Sequence, residues 1–157
     1  DARDRPGAPI LDFGCGTGLS GQALSDAGFL RIDGTDLSEE MLKLARARTV
    51  YNTLWTTDSD APLPVAKGMY AAVTAVGVIS AGAAPPETYR LLLDILEPGG
   101  LLVFSLNDQS MAMTEYAAPI RTSIECGDAV IRSQIYGPHL AGHGANSGST
   151  VYVLERS

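Results

Sequence analysis

The chain has 157 residues, 45% hydrophobic and 18% charged, a balance that fits one globular domain and excludes a disordered chain. Eleven Lys and Arg against 18 Asp and Glu leave a formal charge of −7, which excludes bulk attraction to phosphate backbones or anionic lipid. No apolar run approaches the roughly 18 residues that would span a bilayer, so no membrane association is expected.

Taken in order, Ala8–Phe13 reads as a buried strand entered through Pro9, followed by a Gly-rich turn. A helix is predicted from Leu19 to Ala27, with Leu19, Ala23, Leu24 and Ala27 on one face and Gly28 as its stop. Phe29–Thr35 offers a second strand. Ser38 is a good N-cap, with Glu39 and Glu40 in the first turn and Lys43, Arg46 and Arg48 toward the end, as the helix dipole favours. Met41, Leu44, Ala45 and Arg48 supply that helix's stripe. Val50–Trp55 is a weaker third strand, and Thr56–Gly68, with two prolines, is a loop.

Met69–Val78 is a run of small and β-branched apolar residues, the pattern of a strand buried on both faces. Pro85 and Pro86 open a helix striped by Tyr89, Leu92, Leu93 and Leu96, which Glu97-Pro98-Gly99-Gly100 stops. Leu101–Leu106 is a fifth strand. Met111–Ile124 reads as a helix interrupted by Pro119, and Ala129–Tyr136 with Thr150–Arg156 as an antiparallel hairpin. Alternating strands and helices over the first two-thirds predict a mainly parallel sheet covered on both faces. Trp55 and Phe104 are expected in the core.

The informative segment is Ile10-Leu11-Asp12-Phe13-Gly14-Cys15-Gly16-Thr17-Gly18. Glycines at spacing two between a strand and a helix let the backbone turn sharply and approach a ligand without Cβ atoms in the way. Asp36 ends the second strand 18 residues after Gly18, where a carboxylate can accept hydrogen bonds from both hydroxyls of a ribose; its structural alternative is to cap the next helix. Asp58 follows the third strand and could accept from an exocyclic adenine amine, or be an ordinary turn residue. Asp12 discriminates between ligands: a carboxylate just before the glycines is awkward beside a pyrophosphate and suits a cation. Gly16-Thr17-Gly18-Leu19-Ser20-Gly21 also spells the dinucleotide fingerprint GxGxxG, but Gly14 and Cys15 displace it from the strand and Asp12 would repel the phosphates. Cys15 within the loop reads as a small space-filler.

With these residues in place the chain resembles the class I S-adenosylmethionine-dependent methyltransferases. The resemblance rests on ILDFGCGTG (10–18), GTDLSEEML (34–42), TTDSDAPLP (56–64), YAAVTAVGVI (70–79) and LEPGGLLVFS (96–105). A looser similarity, through GVISAG and the VYVLER tail, is to the Williams–Beuren-region methyltransferase-like proteins. The family resemblance implies a three-layer α/β fold whose seven-stranded, mostly parallel sheet runs 3-2-1-4-5-7-6, with the last strand antiparallel and helices on both faces. It implies that Asp12 and the backbone of Gly14, Cys15, Gly16 and Gly18 hold a methionine moiety and that Asp36 takes ribose hydroxyls. Leu37 and Met41 would flank the adenine, Thr57 and Asp58 meet its edge, and Val76 and Gly77 face the sulfonium. Tyr70-Ala71 stands where the family often has an aromatic–Asp pair, a departure expected to affect strand-end packing more than cofactor binding.

The expectation is therefore methyl transfer from S-adenosylmethionine to a small-molecule acceptor, with no nucleic acid partner. The alternatives are an NAD(P)-binding oxidoreductase domain and a catalytically silent methyltransferase-like binding protein. Asn107, Asp108 and Tyr116 are candidates near the mouth of the site, and none is a clear general base. His139 and His143 lie among glycines where helical geometry is improbable, so no metal is expected. Two widely spaced cysteines and no signal-peptide pattern make the cytoplasm the expected compartment. With Asp1 in place of an initiator Met, the single domain, 1–157, is expected to lack an N-terminal lid segment.

Overall fold

A computed structural model describes residues 5–59, 61–138 and 148–157. Seven strands, β1 (Ile10–Phe13), β2 (Ile32–Asp36), β3 (Thr53–Thr56), β4 (Tyr70–Ala75), β5 (Leu96–Asn107), β6 (Ala129–Pro138) and β7 (Gly148–Arg156), form one sheet in the order β3-β2-β1-β4-β5-β7-β6. The five strands from β3 to β5 are parallel, and β7 is antiparallel to both β5 and β6. This is the expected α/β topology, including the terminal hairpin.

Two clusters of apolar side chains cover the sheet. On one face Leu11, Val73, Leu102 and Leu154 lie in register on adjoining strands, each fully buried. They pack beneath α3 (Glu87–Asp94) and α5 (Thr114–Glu125), which contribute Tyr89, Leu92, Tyr116 and Ile120. Phe104 is fully buried and stacks on Tyr152 with ring centroids 5.3 Å apart, while Trp55 packs against this cluster from its edge. On the opposite face α1 (Leu19–Asp26) and α2 (Glu39–Arg46) lie over β2 and β3, around Cys15, Leu42, Ala45, Tyr51 and Leu54.

Several local expectations are corrected. β2 starts at Ile32 because the chain after Gly28 first turns, with the Leu30 amide bonded to the Pro6 carbonyl. Ser38 does cap α2, accepting from the Met41 amide at 3.3 Å, but the face turned to the sheet is Leu42 and Ala45. Met41 and Leu44 are 43% and 56% exposed, since this eight-residue helix touches the sheet along only one short row. β5 begins at Leu96, which pairs with Tyr70; the register then shifts, so Glu97–Gly100 forms an irregularity within the strand. Pro119 sits inside α5 without ending it; the break falls earlier, at the extended Met113 that separates α4 (Asp108–Ala112) from α5. At the start of β4 the aromatic member of the aromatic–Asp pair is present: Tyr70 is buried and its hydroxyl donates to Asp33 at 3.0 Å, while Ala71 stands in place of the carboxylate. Among the described residues no helix is long and apolar enough to cross a membrane.

Candidate functional site

The strand order reverses between β1 and β4, and open α/β sheets form their ligand crevice at such a point, beyond the carboxyl ends of the strands. There the loop after β1 faces the turn after β4. Gly14 has φ +68°, and a Cβ on it would overlap Val78 Cγ2. Only glycine lets these two walls approach so closely. The Gly77 amide donates to Ser105 Oγ at 2.8 Å, which ties the β4 turn to β5.

Asp36 organises the other wall. Its Oδ2 accepts from the Gly16 amide at 2.8 Å and its Oδ1 from the Ser38 amide at 2.9 Å. The carboxylate thus braces the start of α2, and it also borders the cleft. A carboxylate offers about four lone-pair sites, so the two backbone bonds leave acceptor capacity for hydroxyl groups.

The cleft has a volume of about 550 Å³, within the usual range for small-molecule sites. It gathers Gly14, Asp36, Leu37, Thr57, Asp58 and Gly77 from the sequence-derived set. Sequence reasoning missed the apolar wall formed by Phe13, Leu63, Val78, Pro85 and Leu91. Its only signal was the run of small residues and prolines between β4 and α3. Among the described residues lining the cleft, Asp36, Asp58 and Glu87 are the charged ones, and none is Lys or Arg.

The remaining candidates lie elsewhere. Asp12 is 2% exposed behind the loop, where Thr74 Oγ1 donates to its Oδ1 at 2.9 Å and Ser20 Oγ and Tyr51 OH donate to its Oδ2 at 2.6 and 2.7 Å. Its charge reaches the site through space, not by direct contact. Cys15 is buried against Leu42 and Ala45, and its amide is bonded to the Thr35 carbonyl. Burial, then the charges of Asp12 and Asp36, push its thiol up to about 12, so it is the space-filler expected and no nucleophile. Gly16 has given its amide to Asp36, and the Gly18 amide bonds to the Cys15 carbonyl. Met41 and Val76 are exposed and do not line the cleft.

The candidates after β5 have structural partners. Asn107 caps α4 by accepting from the Ser110 amide at 2.8 Å. Asp108 accepts from the Gly148 amide at 2.7 Å and from Tyr136 OH at 3.2 Å, which raises the Tyr136 phenol. Tyr116 is buried in the core. His139 and His143 lie outside the described residues.

Gly21, third glycine of the apparent dinucleotide fingerprint, has a different reason to be glycine: a Cβ there would overlap the Tyr51 ring. The motif records a packing contact on the side of the sheet carrying α1, where a dinucleotide reading would place a pyrophosphate-binding helix turn.

Residues 10–100 match the family model described as a methyltransferase domain. The chain is 39% identical over 114 residues to human methyltransferase-like protein 27, covering 67% of this chain and 44% of that protein. It is 31% identical over 114 residues to a ubiquinone biosynthesis O-methyltransferase of Xanthomonas campestris, covering 68% and 46%. A probable 18S rRNA (guanine-N(7))-methyltransferase of Dictyostelium discoideum is 26% identical, covering 77% and 45%. Among solved structures, an S-adenosylmethionine-dependent methyltransferase from Mesorhizobium loti superposes with a TM-score of 0.69 at 20% identity, covering 96% of this chain and 91% of that one. The chain thus spans less than half the length of these curated relatives.

Proposed function

The chain belongs to the class I S-adenosylmethionine-dependent methyltransferases, and from that premise we propose that it catalyses methyl transfer to a small-molecule acceptor. The observation that carries this reading is Asp36, fixed by two backbone amides at the edge of an acidic cleft of suitable size. The residues present fit a cationic nucleoside: carboxylates border the cleft, and Asp12 adds a buried negative charge behind the loop.

In this reading Asp36 takes the ribose hydroxyls, Leu37 flanks the adenine, and Thr57 with Asp58 meets its edge. The backbone of the loop from Gly14 to Gly18 holds the amino-acid portion, and Gly77 borders the reacting end. Bound cofactor supplies an electrophilic methyl group on a sulfonium. The protein's task is then orientation: holding acceptor and methyl within about 3–3.5 Å contributes roughly 7–11 kcal/mol. Val78, Pro85 and Leu91 offer an apolar wall that excludes water.

A small acceptor is favoured over RNA by the net charge of −7 and by a cleft whose charged lining is acidic. A second reading, a cofactor-binding but silent relative, draws on Asn107, Asp108 and Tyr116 all having structural roles. Incubation with methyl-labelled cofactor and either a polymer-free metabolite extract or total RNA separates these. Label in the small-molecule fraction is expected; label in RNA overturns the acceptor class, and cofactor binding without transfer to either overturns the activity.

A further inference from the structure

The glycine loop is held from two sides. Its front, Cys15 and Gly16, is bonded to Thr35 and Asp36 at the end of β2. Its back, Thr17 and Gly18, meets the connection between α2 and β3, residues 47–52. Arg48 Nε donates to the Thr17 carbonyl at 2.7 Å, and its Cδ would lie 2.9 Å from a Cβ on Gly18. Thr49 has φ +57°, a backbone state costly for a β-branched residue; it turns the chain between Arg48 and Tyr51. Asn52 then locks the connection onto β2, its side-chain oxygen accepting from the Ile32 amide at 2.9 Å and its own amide donating to the Ile32 carbonyl at 2.7 Å.

Tyr51 completes the arrangement. Its ring fills the space left by three glycines: a Cβ on Gly21 would overlap it, and one on Gly18 or Gly34 would lie 3.1 or 2.7 Å away. Its hydroxyl reaches Asp12, sharing Oδ2 with Ser20 at the start of α1. The ring thus joins β1, the loop, α1 and β2 beneath the site.

We propose that Arg48 and Tyr51 are positioning residues, forming a strut that sets the back of the glycine loop for the amino-acid half of the cofactor. The front of the loop is tied to Asp36, which serves the nucleoside half. This rests on the cofactor reading above and divides its labour. Loss of the Tyr51 hydroxyl leaves the buried Asp12 carboxylate with one donor fewer and unties residue 51 from the strand that leads into the loop. Loss of the Arg48 guanidinium releases the Thr17 carbonyl.

The test uses Tyr51→Phe and Arg48→Met with two ligands, S-adenosylhomocysteine and 5′-methylthioadenosine, the latter a thioether nucleoside without the amino-acid portion. Calorimetry is expected to show about tenfold weaker S-adenosylhomocysteine binding in each variant, with methylthioadenosine changed less than about threefold. Equal losses for both ligands would reduce the strut to general stability and overturn the proposal, as would no loss for either. Hydrogen exchange of the ligand-free variants supplies an arm independent of the cofactor. Amides of residues 16–20 exchanging about tenfold faster, with those of β5 unchanged, support the strut, and unchanged loop exchange overturns it. A wild-type chain that binds neither nucleoside refutes the cofactor reading, and the exchange arm still decides the strut.

Discussion

Gly14 and Gly16 both have positive φ, +68° and +53°, but their surroundings differ. A Cβ at Gly16 would meet nothing within 4 Å, whereas one at Gly14 would overlap Val78 Cγ2 and lie 3.0 Å from its Cγ1. Gly16→Ala therefore carries only the left-handed backbone penalty, about 1–2 kcal/mol. Gly14→Ala adds an overpacking cost of about 1–3 kcal/mol against Val78, for a total of about 2–5 kcal/mol. If the steric part is real, shortening Val78 must relieve it. The double variant Gly14→Ala with Val78→Ala should be more stable than the sum of the single effects by about 1–3 kcal/mol. Urea unfolding at 25 °C, with an unchanged slope across the set, reads these differences directly. Gly14→Ala no worse than Gly16→Ala, or a cycle additive within about 0.5 kcal/mol, would refute the close approach of the two cleft walls.

The two thiols should differ sharply: at pH 8 an aromatic disulfide reagent is expected to modify Cys126, which is exposed, and to reach Cys15 only on unfolding. Rapid reaction of both would contradict the buried packing of Cys15. Asp94 accepts from Lys67 at 2.8 Å and pairs with Arg90 at 3.1 Å, which lowers its carboxyl below the usual 3.8, the Lys67 hydrogen bond first. A depressed carboxylate pKa stabilises the fold above the unfolded value and loses that contribution as pH falls through the folded one. Asp94→Asn should thus cost about 0.5–1 kcal/mol at pH 7, a value kept small by solvent screening, and nothing once both states are protonated. A deficit that persists in urea titrations below the folded-state pKa would show that packing, not charge, is lost.

The architecture was legible because its signals are local and periodic. The Gly-Cys-Gly-Thr-Gly turn, the Ser38 cap and the two alternating segments of the terminal hairpin each declare themselves within a few residues. Asp36 could be placed at the cleft because a parallel strand must end there. The roles of Tyr51, Ser20 and Thr74 could not, since they meet Asp12 from positions 39, 8 and 62 residues away, and a sequence pattern carries no record of such pairings. The same limit applies to Leu42: on a two-turn helix, Met41 and Leu44 make an equally regular stripe, and only packing against Cys15 and Leu54 selects the face. Pro119 misled for a related reason, because tertiary burial of Tyr116, Ile120 and Ser123 sustains the helix around it.

The account turns on whether this cleft holds an S-adenosyl nucleoside through Asp36. Calorimetric titration of the purified chain with S-adenosylhomocysteine, beside Asp36→Ala and an NADH control, tests it most directly. The wild type should bind one equivalent of the nucleoside and not NADH, and the variant should lose binding by about two orders of magnitude, as expected when two hydroxyls lose a charged acceptor. Equal affinity in wild type and Asp36→Ala, or binding of NADH alone, would contradict it.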